Sequence, residues 1–144
     1  PVLVDRPLTI EGEPGRFPTL DGGGAHEILR VGAPDVTLRG LRFTNVGVAM
    51  TEDRAAVRVG DTGGCVIEGN RFDDTFFGVY LGRVAGCVVR GNTFAGVPRG
   101  TESTSGNAVH LWSSREVLVE GNTIRGHRDG IYFEFARHSR AVRN

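Results

Sequence analysis

Apolar residues alternate with polar ones in short bursts along this chain, and the bursts recur. One phrase appears as Cys65-Val-Ile-Glu-Gly-Asn-Arg-Phe72, Cys87-Val-Val-Arg-Gly-Asn-Thr-Phe94 and Val117-Leu-Val-Glu-Gly-Asn-Thr-Ile124. A looser copy, Val36-Thr-Leu-Arg-Gly-Leu-Arg-Phe43, precedes them. A second family of bursts lies between these phrases: Leu29-Arg-Val-Gly32, Val57-Arg-Val-Gly60, Val79-Tyr-Leu-Gly82, Val109-His-Leu-Trp112 and Ile131-Tyr-Phe-Glu134. Each has the period of two that marks a half-buried strand. The starts of the second family are 28, 22, 30 and 22 residues apart, so a 22-residue rung is lengthened in alternate turns. The extra residues fall at 46–54 and 96–106, both loop-like in composition. No segment carries a sustained helical stripe.

An antiparallel sandwich also has many short strands, but it does not require like residues at equal positions of a 22-residue period. A solenoid does, because each coil pairs in register with the next at about 4.8 Å. The pattern therefore predicts an all-β, right-handed parallel β-helix of about five coils of 22–30 residues, forming a single domain over 1–144. Register then assigns roles. Val36, Cys65, Cys87 and Val117 form one inward column, and Leu38, Ile67, Val89 and Val119 another. Phe43, Phe72, Phe94 and Ile124 form a third. Asn70, Asn92 and Asn122 sit at a bend, where a side-chain amide bonds to the neighbouring coil. Arg39, Glu68, Arg90 and Glu120 face outward with alternating sign, an arrangement that favours stacking.

Composition refines this picture. Glycine is abundant, at 22 residues of 144, without a collagen-like period, so it marks turns. All 17 basic residues are Arg, balanced by 17 acidic ones. Zero formal charge gives no electrostatic reason to expect a nucleic-acid partner. No run approaches the ~18 apolar residues of a membrane span. The chain starts at Pro1, has Met50 as its sole methionine and ends inside a repeat, and is expected to be a piece of a longer β-helix protein.

The chemistry-bearing residues are few. Cys65 and Cys87 lie one rung apart in an inward column, within reach of a disulfide; because stacked side chains point the same way, two buried thiols are expected. His26, His110, His127 and His138 match no metal-ligand spacing. His110 and His127 remain the candidate copper or zinc ligands, with Met50 as a soft donor, but no metal site is assigned. Paired carboxylates would suit glycoside cleavage. Asp61, Asp73, Asp74, Asp129 and Glu134 are the candidates, and they read better as solvated turn residues, so no catalytic set is assigned. The remaining feature is an outward face of Arg30, Arg58, Tyr80, His110 and Tyr132, extended by Trp112 and Glu134. Trp, Tyr and Arg on an exposed strand face are the types that anchor protein or sugar partners; aromatics also simply suit strands.

Three segments carry a resemblance: Gly106-Asn-Ala-Val-His-Leu-Trp112, Val117-Leu-Val-Glu-Gly-Asn-Thr-Ile124 and Gly126-His-Arg-Asp-Gly-Ile-Tyr-Phe-Glu-Phe135. With the opening coils Pro7-Leu-Thr-Ile-Glu-Gly12 and Leu20-Asp-Gly-Gly-Gly24, they make the chain similar to the NosD-type family, maturation proteins for the copper enzyme nitrous oxide reductase. The resemblance implies a periplasmic, non-enzymatic scaffold. It also implies an ABC transporter, a copper chaperone and the reductase as partners, and copper as the metal handled. It transfers no ligand set to named residues. The alternative on the same fold is a polysaccharide lyase or hydrolase, or a carbohydrate-binding module.

Overall fold

The computed structural model describes residues 1–98 and 100–144. The chain winds through three sheets in a fixed order, and every strand pairing among the described residues is parallel. The first coil is β1 (Val2–Val4), β2 (Thr9–Glu11) and β3 (Thr19–Asp21); the second is β4 (Leu29–Val31), β5 (Thr37–Arg39) and β6 (Arg42–Val46). The third is β7 (Ala55–Gly60), β8 (Val66–Glu68) and β9 (Arg71–Thr75); the fourth is β10 (Phe77–Gly82), β11 (Val88–Arg90) and β12 (Thr93–Ala95). The fifth is β13 (Asn107–Trp112), β14 (Leu118–Glu120) and β15 (Thr123–Arg125), after which β16 (Asp129–Glu134) and β17 (Arg140–Val142) begin a sixth. The first strands of the coils build sheet A, the second sheet B and the third sheet C. The count is thus five complete coils plus two strands.

The predicted columns are present. Leu38, Ile67, Val89 and Val119 pair in register and are fully buried. The rings of Phe43, Phe72 and Phe94 stack at 4.9 and 4.6 Å between centroids, nearly parallel; Ile124 continues the column half-buried. Buried Asn70, Asn92 and Asn122 form an unbroken ladder at the bend between sheets B and C. Asn92 Oδ1 accepts from the backbone N–H and the side-chain amide of Asn70, while Asn92 Nδ2 donates to the Ile67 carbonyl and to Asn122 Oδ1. Asn122 repeats this against Asn144. Outside, Glu68 binds both Arg39 and Arg90, at 3.7 and 2.8 Å, and Glu120 binds Arg143.

Two expectations need correction. Cys65 and Cys87 are disulfide-bonded, not free thiols, with Cα atoms 4.6 Å apart. Rung spacing alone brings the Cα atoms into bridging range, so parallel side-chain directions do not keep the sulfurs apart. Asp73 and Asp74 are not loop residues but lie inside β9, where Asp74 adopts a left-handed conformation (φ 52°) that kinks the strand. The two lengthened turns do form loops, at 47–54 and 96–106; Arg99, in the second, lies outside the described residues. Both loops enter sheet A at the same corner, two coils apart.

Candidate functional site

The outward face of sheet A carries the residues singled out from the sequence. Strict pairing sets Arg30, Arg58, Tyr80, His110 and Tyr132 in one vertical column. The Arg58 guanidinium lies 4.2 Å over the Tyr80 ring, Tyr80 stacks on His110 at 4.9 Å, and His110 tilts against Tyr132 at 5.1 Å. Gly32 follows Arg30 by two residues at the end of its strand, and the next column along comprises Gly60, Gly82, Trp112 and Glu134. The structure therefore brings Arg58, Tyr80, His110, Trp112, Tyr132 and Glu134 together on one face. His127 stands apart, at the corner preceding β16, with its ring edge-on to Phe94 at 6.4 Å.

Residues the periodicity did not reveal hold this column. Glu27, in the turn before β4, is buried; its two oxygens accept from Arg58 Nε at 2.6 Å and Arg30 Nη2 at 2.5 Å. Burial pushes the Glu27 carboxyl pKa up, but the bonds from Arg58 and Arg30 outweigh it and leave the pKa below its ordinary value. At the other end, Arg128 donates to Asn107 Oδ1, which leaves Asn107 Nδ2 to donate to His110 Nδ1 at 3.1 Å. Only the tautomer protonated at Nε2 then fits, and it donates to Glu134 Oε2 at 3.2 Å. Burial drives the His110 pKa below its ordinary value despite the opposing bond from Glu134, so the ring is neutral at pH 7. The only advance signal of Asn107 is its place at the head of a strand in a chain whose other repeated Asn residues are buried. Glu27 lies outside any repeat and had no signal.

The donor set does not suit a copper ion. Both His110 nitrogens are engaged, Cys65 and Cys87 are oxidised and buried, and Met50 projects from the exposed 47–54 loop. His127 Nε2 is buried without a hydrogen-bond partner, and burial lowers that ring's pKa, opposed by the Gly106 and Phe76 backbone. Among the described residues no three His, Cys, Asp or Glu side chains are grouped to hold a metal.

The carboxylates considered for hydrolysis are engaged too. Asp61 accepts from Nε and Nη2 of Arg83 at 2.5 and 2.6 Å, which holds its pKa below the usual carboxylate value. Asp73 pairs with Arg42 at 2.6 Å, Asp129 with Arg128 at 2.9 Å, and Glu134 with His110. Glycoside cleavage asks for a carboxyl whose pKa is raised so that it stays protonated; that of Asp61 is lowered instead.

Comparison with known proteins agrees with this architecture. The family described as "Right handed beta helix region" matches residues 27–144. The chain is 36% identical over 129 residues to the "Probable ABC transporter binding protein NosD" of Pseudomonas aeruginosa. That alignment covers 89% of this chain and 30% of the relative, so the chain spans about a third of the relative's length. No solved structure matches significantly. The chain belongs to the right-handed β-helix family, and within that family it is NosD-like.

Proposed function

We propose that this chain is a β-helical part of a non-enzymatic accessory protein that binds other proteins during copper-cluster maturation of nitrous oxide reductase. The observation that carries this reading is the likeness to NosD, whose name describes an ABC transporter binding protein. Two features support it. The sheet A face presents Tyr132 and Trp112 with Arg30 and Arg58 beside them, residue types enriched at protein contacts. Of the carboxylates that an enzyme would use, Asp61, Asp73 and Asp129 are held in ion pairs with arginine and Glu134 accepts a hydrogen bond from His110. The internal disulfide suits an oxidising compartment, in keeping with export to the periplasm.

In this reading copper is cargo of the assembled machinery, and no step is routed through a ligand set on this chain. The test is co-purification of the full-length parent with its transporter subunits, the copper chaperone and the reductase. Retention of the transporter subunits, reduced by Tyr132→Ala and Trp112→Ala, is expected. Absence of any retention rejects the reading, as does turnover of a polysaccharide by the purified protein.

A further inference from the structure

The structure assigns a docking site to the corner where the chain turns from sheet A into sheet B, and its occupant is an extended acidic segment of a partner protein. The site deepens the accessory reading above and rests on it only for the partner being a protein. Zero formal charge conceals a polarity along the helix axis. Residues 1–76, the first three coils, hold eight arginines and twelve acidic side chains; residues 77–144 hold nine and five. The later coils are therefore positive, and an acidic partner meets a favourable field there.

The corner concentrates that excess. Asp61, Arg83, Ser113 and Phe135 each directly follow a sheet A strand. Two positions further on, Gly63, Ala85, Arg115 and Arg137 bridge from coil to coil. Residues of both rows line a groove of about 840 Å³, together with Thr62, Val84, Ser114 and Ala136 between them, none of which is large. The lining holds three guanidiniums (Arg83, Arg115, Arg137) and one carboxylate, Asp61, which compensates Arg83. Among the described residues Arg115 pairs with the adjacent, exposed Glu116 at 3.2 Å, and Arg137 pairs with no carboxylate.

Two features of this corner serve neither turning nor stacking. Arg115 bridges directly to Arg137, so like charges face each other on successive coils. That arrangement is destabilising, and the Arg39–Glu68–Arg90 column of sheet B avoids it. The second feature is Phe135. The turn holds Asp61, Arg83, Ser113 and Phe135 at φ of 53°, 53°, 51° and 52°. A bulky aromatic suits this left-handed conformation poorly. Nor does the ring gain burial, since Phe135 is 74% exposed. Its place on the last coil is not the cause, because Asp61, Arg83 and Ser113 are exposed in the same column with coils on both sides. Backbone strain kept under an uncovered ring points to a contact made outside the chain.

The dimensions and charges select the occupant. Four coils at the corner span about 14 Å, the length of about four extended residues. Guanidiniums on three successive coils offer paired N–H donors to carboxylates, and an apolar side chain between those carboxylates covers Phe135. A nucleic acid or polyphosphate carries charge on every unit and would set some of it against Asp61 and Glu116. A polypeptide places its carboxylates selectively.

The test uses the full-length parent and a fluorescein-labelled octapeptide pool of alternating glutamate and random apolar residues, read by anisotropy. The same pool with glutamine for glutamate, an oligothymidylate and inorganic polyphosphate are the comparisons. Saturable binding of the glutamate pool is expected, weakened about tenfold or more by Arg137→Ala or Arg115→Ala and weakened by salt. Phe135→Gly should weaken binding while leaving Tm unchanged or higher, because glycine relieves the left-handed turn. No binding, equal binding of the glutamine pool, tighter binding of oligothymidylate or polyphosphate, undiminished binding by the arginine variants, or a lower Tm for Phe135→Gly overturns the proposal. Peptide binding by a parent that retains no transporter subunits rejects the accessory reading alone; retention without peptide binding rejects this site alone.

Discussion

Sheets A and B are stacked by the same coils, yet their outward faces are built on different rules. On sheet B one outward column is explained by its vertical neighbours: Glu11, Arg39, Glu68 and Arg90 alternate in sign, and each carboxylate lies within 4.0 Å of an adjacent arginine. On sheet A the corresponding column is aromatic and cationic, and its partners come from outside the repeat: Glu27 from a turn, Asn107 from a strand head, and Arg128 from the corner before β16. Sheet B shows what stacking alone asks of a surface. Sheet A carries buried polar groups, Glu27, Asn107 and His110, that stacking alone does not require.

The largest effect lies outside both faces, at the Asn ladder that turns the third, fourth and fifth coils from sheet B into sheet C. Asn92→Ala leaves the Asn70 N–H without its acceptor and the Ile67 carbonyl without its side-chain donor in a buried bend, while Asn122 Oδ1 keeps the Asn92 backbone N–H. At about 1–3 kcal/mol for each buried group left unpaired, the loss is expected to be about 3 kcal/mol or more, read from urea unfolding. Glu27→Gln comes next. It leaves the Arg58 and Arg30 guanidiniums without their shared counter-charge, and because both retain solvent contact the cost is about 1–2 kcal/mol, below that of a fully buried pair. Weakened cation–π seating of Arg58 on Tyr80 should accompany it as a shift in tyrosine absorbance.

Acid sharpens the contrast further. In the fold, burial holds His110 and His127 below their ordinary pKa of 6.5, so the unfolded chain takes up protons first. Stability is therefore full above pH 6.5 and declines as pH falls from there toward the folded-state values. A second decline begins below pH 4.5, where Glu27, whose pKa is lowered in the fold, starts to lose its charge advantage. His110→Phe keeps the ring between Tyr80 and Tyr132, and it removes the imidazole that faces Glu134, Asp53, Arg128 and Asn107. Thermal melts of this variant against pH should show a shallower first decline than the parent. The smallest effect belongs to sheet B. Arg90→Ala removes an exposed pair with Glu68, and the expected loss is under about 1 kcal/mol, disappearing in high salt. A loss as large as that of Glu27→Gln would erase the distinction between the faces.

Much of the architecture was legible because a solenoid writes its contacts at a fixed separation. The Phe43–Phe72–Phe94 stack, the Asn ladder and the Arg39–Glu68–Arg90 column all follow from spacing. The outward face of sheet A was legible as a set of residues for the same reason. Its wiring was not. Glu27 and Arg58 are 31 residues apart, off the 22- and 30-residue intervals, and they meet through the path of a turn. The Cys65–Cys87 bond was misjudged because column membership fixes which side chains are neighbours but not how their χ angles turn.

The residue order by itself determined the coil and three of its inward columns, because vertical register turns equal sequence separation into contact. Tertiary structure alone decided which charges are compensated, which tautomer His110 holds and that Cys65 and Cys87 are bonded. Those properties depend on turns and loops whose trajectories obey no period, and on side-chain directions that register leaves free.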